Sequence, residues 1–242
     1  MSDSIVTAKI GTLYGLGVGP GDPELITVKA YRIIRDTPVI AYPRKRMGDK
    51  SYALAIVETF IDTSRKEMVG LTFPMTRDAE TLAREWNKTI ATVYEYLKTG
   101  RDVAFVTEGD PMLYSTFIHM KRLMESLHPE VRVESVPGIS SINASASRLG
   151  IPLADGDEIV AIVPATDDRE QMRKALIEHD AVIFIKVAKV IDLMIDVLFE
   201  LDLISKAAVV HKVTGQEERI YTDVASLRGS DLGYLTLMVV RK

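Results

Sequence analysis

Short β-branched runs alternate with amphipathic segments along the whole 242-residue chain, and this alternation leaves few folds open. A strand that returns after each helix-length segment marks an α/β protein with largely parallel sheets, because parallel neighbours need a crossover connection. The first half reads as strand 12–16, helix 24–35, strand 39–42, helix 52–59 and a charged helix 78–98 stopped by Gly100. Strand 103–106, helix 112–127 and strand 131–136 follow. Pro137-Gly138 then interrupts the pattern, and a small-residue helix at 141–149 closes at Gly150, just before Pro152. Beyond it the spacing predicts strands 159–163, 182–186, 207–211, 219–221 and 235–240, with helices 169–178 and 190–201. The last strands follow one another without a helix, so the second sheet is expected to be mixed. Two α/β domains are expected, 1–136 and 137–242, with no low-complexity linker between them.

Composition narrows the chemistry. The chain has no cysteine, which excludes thiolate nucleophiles, disulfides and Cys-ligated metal centres. At 47% hydrophobic and 26% charged it has ordinary globular composition, long enough to bury a core without staples. No apolar run approaches the roughly 20 residues that span a bilayer. Met1-Ser2-Asp3-Ser4-Ile5 shows no basic stretch followed by an apolar one, so neither a signal peptide nor a membrane partner is expected. The lack of cysteine fits a cytoplasmic protein, and a net charge of −4 with a pI near 5.7 argues against nucleic acid as a partner.

Three strand exits carry the chemistry. The first, Gly15-Leu16-Gly17-Val18-Gly19-Pro20-Gly21-Asp22, leaves a strand and opens a helix. A dinucleotide fingerprint fails on spacing: Gly15 and Gly17 would need glycine where Pro20 stands, and Gly17 and Gly19 would need it at Asp22. There is no Walker A Gly-Lys-Ser/Thr either. Four glycines within 15–21 exceed what a plain connector needs, so the turn is read as ligand-facing, with Asp22 and Pro23 at the helix start. The second exit, Thr107-Glu108-Gly109-Asp110-Pro111, repeats Gly-Asp-Pro, and Asp110 is either a ligand contact or a plain cap. The third, Val136-Pro137-Gly138-Ile139-Ser140-Ser141, offers hydroxyls and amides at a helix start, suited to a carboxylate or to simple capping. Open α/β sheets bind ligands at such carboxyl ends.

Taken together, Gly15–Leu25, the run Glu108-Gly109-Asp110-Pro111-Met112-Leu113-Tyr114-Ser115-Thr116 and Val136-Pro137-Gly138-Ile139-Ser140-Ser141 resemble the tetrapyrrole methylase family. The stretch 110–116 is most similar to its C20-methyltransferases of cobalamin biosynthesis, which act on precorrin-2 or cobalt-factor II. Uroporphyrinogen-III methyltransferases usually carry Gly-Gly-Asp-Pro, and Glu108 departs from that pattern. The resemblance implies two αβα domains with S-adenosylmethionine in the cleft between them, usually in a homodimer. It implies that Gly109, Asp110 and Leu113 line the methionine side of the cofactor, with Ser140, Ser141 and Ile142 beside it. Pro164, Ala165, Ile185, Val213, Thr214, Tyr234 and Leu235 fall where the family holds the adenosine part. The turn at Gly17, Gly19, Pro20, Gly21 and Asp22 would face the tetrapyrrole.

A sulfonium methyl group is already activated, so the main demand is alignment, and removal of one proton from the acceptor carbon needs only a weak base or water. The sequence has no metal-ligand spacing among its four histidines, and no metal is expected. Tyr114, for orienting substrate, and His211, at a strand end, are the candidates for a catalytic part; each has a packing alternative. A polycarboxylate substrate calls for cations, and Arg44-Lys45-Arg46 with Lys50 follows strand 39–42. Same-fold rivals act on diphthine precursors or ribosomal RNA; a non-catalytic tetrapyrrole- or nucleotide-binding module is the rival of another class.

Overall fold

The computed structural model describes residues 9–44, 51–73 and 78–242. The chain divides into two compact units, Met1–Ser140 and Ser141–Lys242.

In the first unit, β1 (Leu13–Gly17), β2 (Val39–Arg44), β3 (Glu67–Thr72), β4 (Val103–Thr107) and β5 (Val133–Val136) form one sheet in the order β3-β2-β4-β1-β5. Every pairing in it is parallel. The crossovers use α1 (Val28–Asp36), α2 (Tyr52–Val57), α3 (Ala79–Leu97) and α4 (Phe117–Leu127). One face of the sheet packs Leu16, Ile40 and Val106 against Ala30 and Ile34 of α1 and Ala53 and Ile56 of α2. The other packs Leu13, Val39 and Phe105 against Ile90, Val93 and Leu97 of α3 and Phe117, Met120 and Met124 of α4. Both faces are covered, which is why the central strands are apolar throughout rather than alternating. Each fully buried side chain of this size contributes about 1.5–3 kcal/mol.

Local geometry moves three boundaries. The helix expected at 24–35 is a short 3-10 turn, Pro23–Leu25, followed by α1. Thr27 stays extended and its hydroxyl accepts from the Ala30 N–H, so the helix begins after it. The helix expected at 112–127 begins only at Phe117, because Tyr114 has φ 53° and breaks a right-handed path. Strand β3 is an element the sequence pattern did not predict; it is an edge strand with Gly70 at its centre. Strand β2 runs two residues further than expected, through Pro43, because its pairing with β4 ends at Ala41 and leaves no ladder bond for Pro43 to miss on that side.

The second unit holds α5 (Ser141–Leu149), β6 (Val160–Pro164), α6 (Arg169–Glu178), β7 (Ala181–Ile185), α7 (Ile191–Glu200), β8 (Ala207–His211), β9 (Arg219–Tyr221) and β10 (Thr236–Arg241). Its sheet has the order β6-β7-β10-β8-β9 and is mixed, as the run of consecutive strands predicted. Only β6 and β7 pair in parallel; β10 enters antiparallel between β7 and β8. Thr236 therefore stands opposite His211, and Leu237 opposite Ile185. Helices α6 and α7 cover one face through Met172, Leu176, Met194 and Leu198. The other face meets α5 through Ile142 and Ala144. No described helix is long and apolar enough to cross a membrane.

Candidate active site

β1 lies between β4 and β5, so the three expected loops leave adjacent strands. Their backbones are in direct contact. The Val18 N–H donates to the Thr107 carbonyl at 3.0 Å, and the Gly109 N–H to the Gly19 carbonyl at 2.8 Å. Gly19 and Gly109 hold φ of 85° and 65°, which only glycine adopts at little cost. Gly17 and Gly138 are glycine for another reason. A Cβ on Gly17 would sit 2.5 Å from the Gly109 carbonyl oxygen and 2.7 Å from the Gly138 nitrogen; one on Gly138 would sit 2.2 Å from that same oxygen. Three strand exits are thus packed main chain against main chain, forming a floor of backbone at Gly17, Gly109 and Gly138.

Asp110 ties this floor together. Its Oδ1 accepts from the Met112 N–H at 2.8 Å and its Oδ2 from the Gly138 N–H at 3.0 Å. The first bond shapes the β4 exit and the second pins that exit to the one after β5. Asp22 shapes the turn after β1, accepting from the Glu24 N–H at 2.9 Å, and Pro20 close to it is buried. Met112, Leu113, Tyr114 and Ile139 stand exposed around the floor, Tyr114 at 49%. Apolar side chains rimming a polar backbone floor suit a flat ligand with an apolar face. Ser115 braces the loop from beneath: its hydroxyl lies 3.1 Å from that of Thr107 and accepts from the Phe117 N–H.

In the second unit the expected residues gather at the edge where β7 and β8 end and β10 begins. The Ala165 N–H donates to Ile185 at 2.9 Å, and the Lys212 N–H to Leu235 at 2.8 Å. Lys186, Lys212 and Thr214 have φ of 60°, 46° and 61°. Such strained residues concentrate at functional loops. With Tyr114, four of the five non-glycine residues at positive φ among the described residues fall on strand exits. Ile142 and Val213 are buried in one cluster with Ile183, Val210 and Leu237. Pro164 ends β6 and Tyr234 stands exposed ahead of β10.

Arg148 of α5 pairs with Glu218 at 2.6 Å, and Glu218 Oε1 accepts from the Thr214 N–H at 2.9 Å. This relay holds the Val213-Thr214 loop against the helix that begins at Ser141. The Arg148 guanidinium, then the Thr214 amide, keep the Glu218 carboxyl below the usual carboxylate range. Its contribution is therefore present above that range and is lost as pH falls through the lowered value. Arg148→Gln is expected to loosen the loop, to weaken cofactor binding more than it lowers the melting temperature, and to flatten the acid limb of stability. Calorimetry beside thermal melts at several pH values checks this; unchanged affinity would mean the relay is only structural.

His211 Nδ1 lies 2.9 Å from the Thr236 hydroxyl, and that hydroxyl donates to the Gly233 carbonyl. With its one proton so used, Thr236 accepts from His211, which fixes the tautomer with the proton on Nδ1. Burial first, then Lys212 and Arg219, push the His211 pKa down, against a smaller opposite effect of Glu217. The neutral ring lines a recess of about 290 Å³ with Glu217, Arg219, Tyr221 and Asp231.

Arg44 ends β2, whereas Lys45, Arg46 and Lys50 lie outside the described residues. Among the described residues no group of His, Asp and Glu is placed to hold a metal. Gly138 stood in the third strand exit without a role of its own, and the Arg148–Glu218 relay was not foreseen. Gly138 carried a legible signal, since Pro-Gly at a strand exit marks close backbone approach, whereas an ion pair 70 residues apart leaves none.

Residues 12–227 match the family model of the tetrapyrrole (corrin/porphyrin) methylases. The chain belongs to that family. This methylase is 41% identical, over 72% of its length and 71% of the other's, to a probable cobalt-precorrin-2 C(20)-methyltransferase of Methanocaldococcus jannaschii. It is 35% identical to the cobalt-precorrin-2 C(20)-methyltransferase of Salmonella typhimurium, over 73% of each chain. Its fold matches a cobalt precorrin-4 methyltransferase with a TM-score of 0.75 at 20% identity, covering 95% of this chain and 94% of that one. A uroporphyrin-III C-methyltransferase of Thermus thermophilus complexed with S-adenosylhomocysteine gives 0.64 at 22%, covering 96% and 98%. The methylase therefore has the mixed α/β fold that the resemblance implied.

Proposed function

We propose that this chain transfers a methyl group from S-adenosylmethionine to C20 of a corrin precursor in cobalamin biosynthesis, with precorrin-2 or cobalt-factor II as acceptor. The observation that carries the reading is the Gly17–Gly109–Gly138 contact stapled by Asp110, on a chain whose relatives at 35–41% identity are named for that reaction. The backbone floor is read as the methionine side of the cofactor, with Gly109, Asp110 and Leu113 lining it and Ser140, Ser141 and Ile142 assigned to the same part. Pro164, Ala165, Ile185, Thr214, Tyr234 and Leu235 then serve the adenosine part.

Bound there, S-adenosylmethionine supplies a methyl group already activated on a sulfonium. The chain's own part is alignment, which reaches effective molarities of about 10⁵–10⁸ M. The glycine floor fixes distance, because none of its atoms has a rotamer to change. The exposed rim of Leu113 and Tyr114 shields an apolar face, and the turn at Gly17, Gly19, Pro20, Gly21 and Asp22 borders the acceptor. Arg44, with Arg46, meets its carboxylates. A neutral His211 with a free Nε2 lone pair has the chemistry to take up the departing proton. The reading extends to a homodimer in the cytoplasm, built from domains 1–136 and 137–242.

Isothermal titration with S-adenosylmethionine and S-adenosylhomocysteine tests the cofactor. Saturable micromolar binding of both is expected. No heat with either would remove every methylase reading, and binding without turnover on any tetrapyrrole would leave a binding module.

A further inference from the structure

Gly70 sits at the middle of edge strand β3, where glycine weakens pairing and where its φ asks for no special freedom. The reason lies across the ladder. Arg44 pairs with Thr72, and Gly70, two residues back on the same face, pairs with Tyr42. The Arg44 side chain folds diagonally back over Gly70. A Cβ at position 70 would stand 2.7 Å from Arg44 Cδ, 3.0 Å from Nε and 3.2 Å from Cζ. The space a side chain would fill is occupied by the stem of the guanidinium.

That guanidinium is incomplete. Arg44 Nε is buried and has no hydrogen-bond partner among the described residues. A buried N–H of a cation without an acceptor is costly and uncommon. Nε–H is also half of the fork with which arginine grips a carboxylate through two parallel bonds. Arg44 closes β2, whose carboxyl end shares a sheet edge with the exits of β1 and β4.

The geometry points to Gly70 as a positioning residue for Arg44, giving room for the stem that aims its guanidinium at one carboxylate of the acceptor. The inference rests on the acceptor being a polycarboxylate tetrapyrrole, as proposed above. Arg44 makes the contact; Gly70 acts only through it. In a side-chain-bearing variant the guanidinium swings off the strand, so charge is retained and aim is lost.

A double-mutant cycle tests this, using Arg44→Gln, Gly70→Ala and the pair, in steady-state methyl transfer to cobalt-factor II. Arg44→Gln is expected to raise the acceptor KM by about tenfold or more, the worth of one lost charged hydrogen bond. Gly70→Ala is expected to raise the same KM, with the cofactor KM unmoved, and to add nothing on top of Arg44→Gln. Arg44→Lys, which keeps the charge without the fork, is expected to recover only part of the loss. Additive effects of the two single variants, or a Gly70→Ala loss confined to melting temperature, would overturn the assignment. Where the wild-type chain turns over no acceptor, the proposed function falls, and the cycle is read instead as binding of uroporphyrin, an octacarboxylate, by quenching of the single tryptophan, Trp86. The same non-additivity there upholds the anchor, and uroporphyrin affinity unchanged in Arg44→Gln refutes it.

Discussion

Gly17→Ala is expected to cost methyl transfer about a hundredfold or more, the scale set by displacing reacting groups by about 1 Å. The added Cβ would sit 2.5 Å from the Gly109 oxygen and 2.7 Å from both the Cα and the nitrogen of Gly138, all of them main chain. Side chains could rotate away; these atoms cannot. One of three adjacent strand exits must therefore shift, and the floor between them with it. Overpacking of this kind costs about 1–3 kcal/mol, a fall of roughly 2–4 °C in Tm for each kcal/mol in a chain of this size. Gly15→Ala separates the two effects. Its Cβ would come 2.1 Å from the Phe117 ring, a side chain in the core, so a similar melting loss is expected with far less kinetic loss. Cofactor affinity unchanged in Gly17→Ala would mean that the turn is a connector and nothing more.

Asp110→Asn comes second in size. The carboxylate accepts two backbone amides, one on each oxygen. An asparagine amide has a single acceptor oxygen, so whichever way it turns, an NH₂ faces either the Met112 or the Gly138 N–H. A donor left against a donor costs about 1–3 kcal/mol, and the bond from the β4 exit to the β5 exit is the one that aligns the floor. The expected result is a fall in kcat/KM of more than tenfold, about the same free energy read kinetically, with a smaller loss of thermal stability. Asp110→Glu is not expected to rescue it, since its longer arm misplaces both oxygens. Steady-state kinetics in cofactor and acceptor, beside a melt, checks this; full activity in Asp110→Asn would show the staple to be dispensable.

Much of this was legible in the residues. The alternation of strands and helices fixed an α/β class, and the consecutive strands at the end announced a mixed second sheet. The three glycine-bearing exits could be read because their peculiarity is local: glycines that a connector does not need, next to prolines and acids. Legibility failed where the cause is distant in sequence. Strand β3 carries Gly70 where a strand pattern expects a β-branched residue, and the reason, the Arg44 stem, lies on another strand. The late start of α4 follows from positive φ at Tyr114, a bulky residue whose identity gives no hint of it. Asp110 read equally as a cap or a ligand contact; its bond to Gly138, 28 residues on, needed the folded chain to appear. The Arg148–Glu218 relay is of the same kind.

The most direct test of the central proposal is product analysis with S-adenosylmethionine labelled with ¹³C in its methyl group. The purified chain is incubated with precorrin-2 and, separately, with cobalt-factor II, and each product is examined by mass spectrometry and NMR. One added methyl group, with its ¹³C signal coupled to C20, is the predicted result. A label on any other ring carbon, or an unlabelled tetrapyrrole from a chain that binds the cofactor, would contradict it.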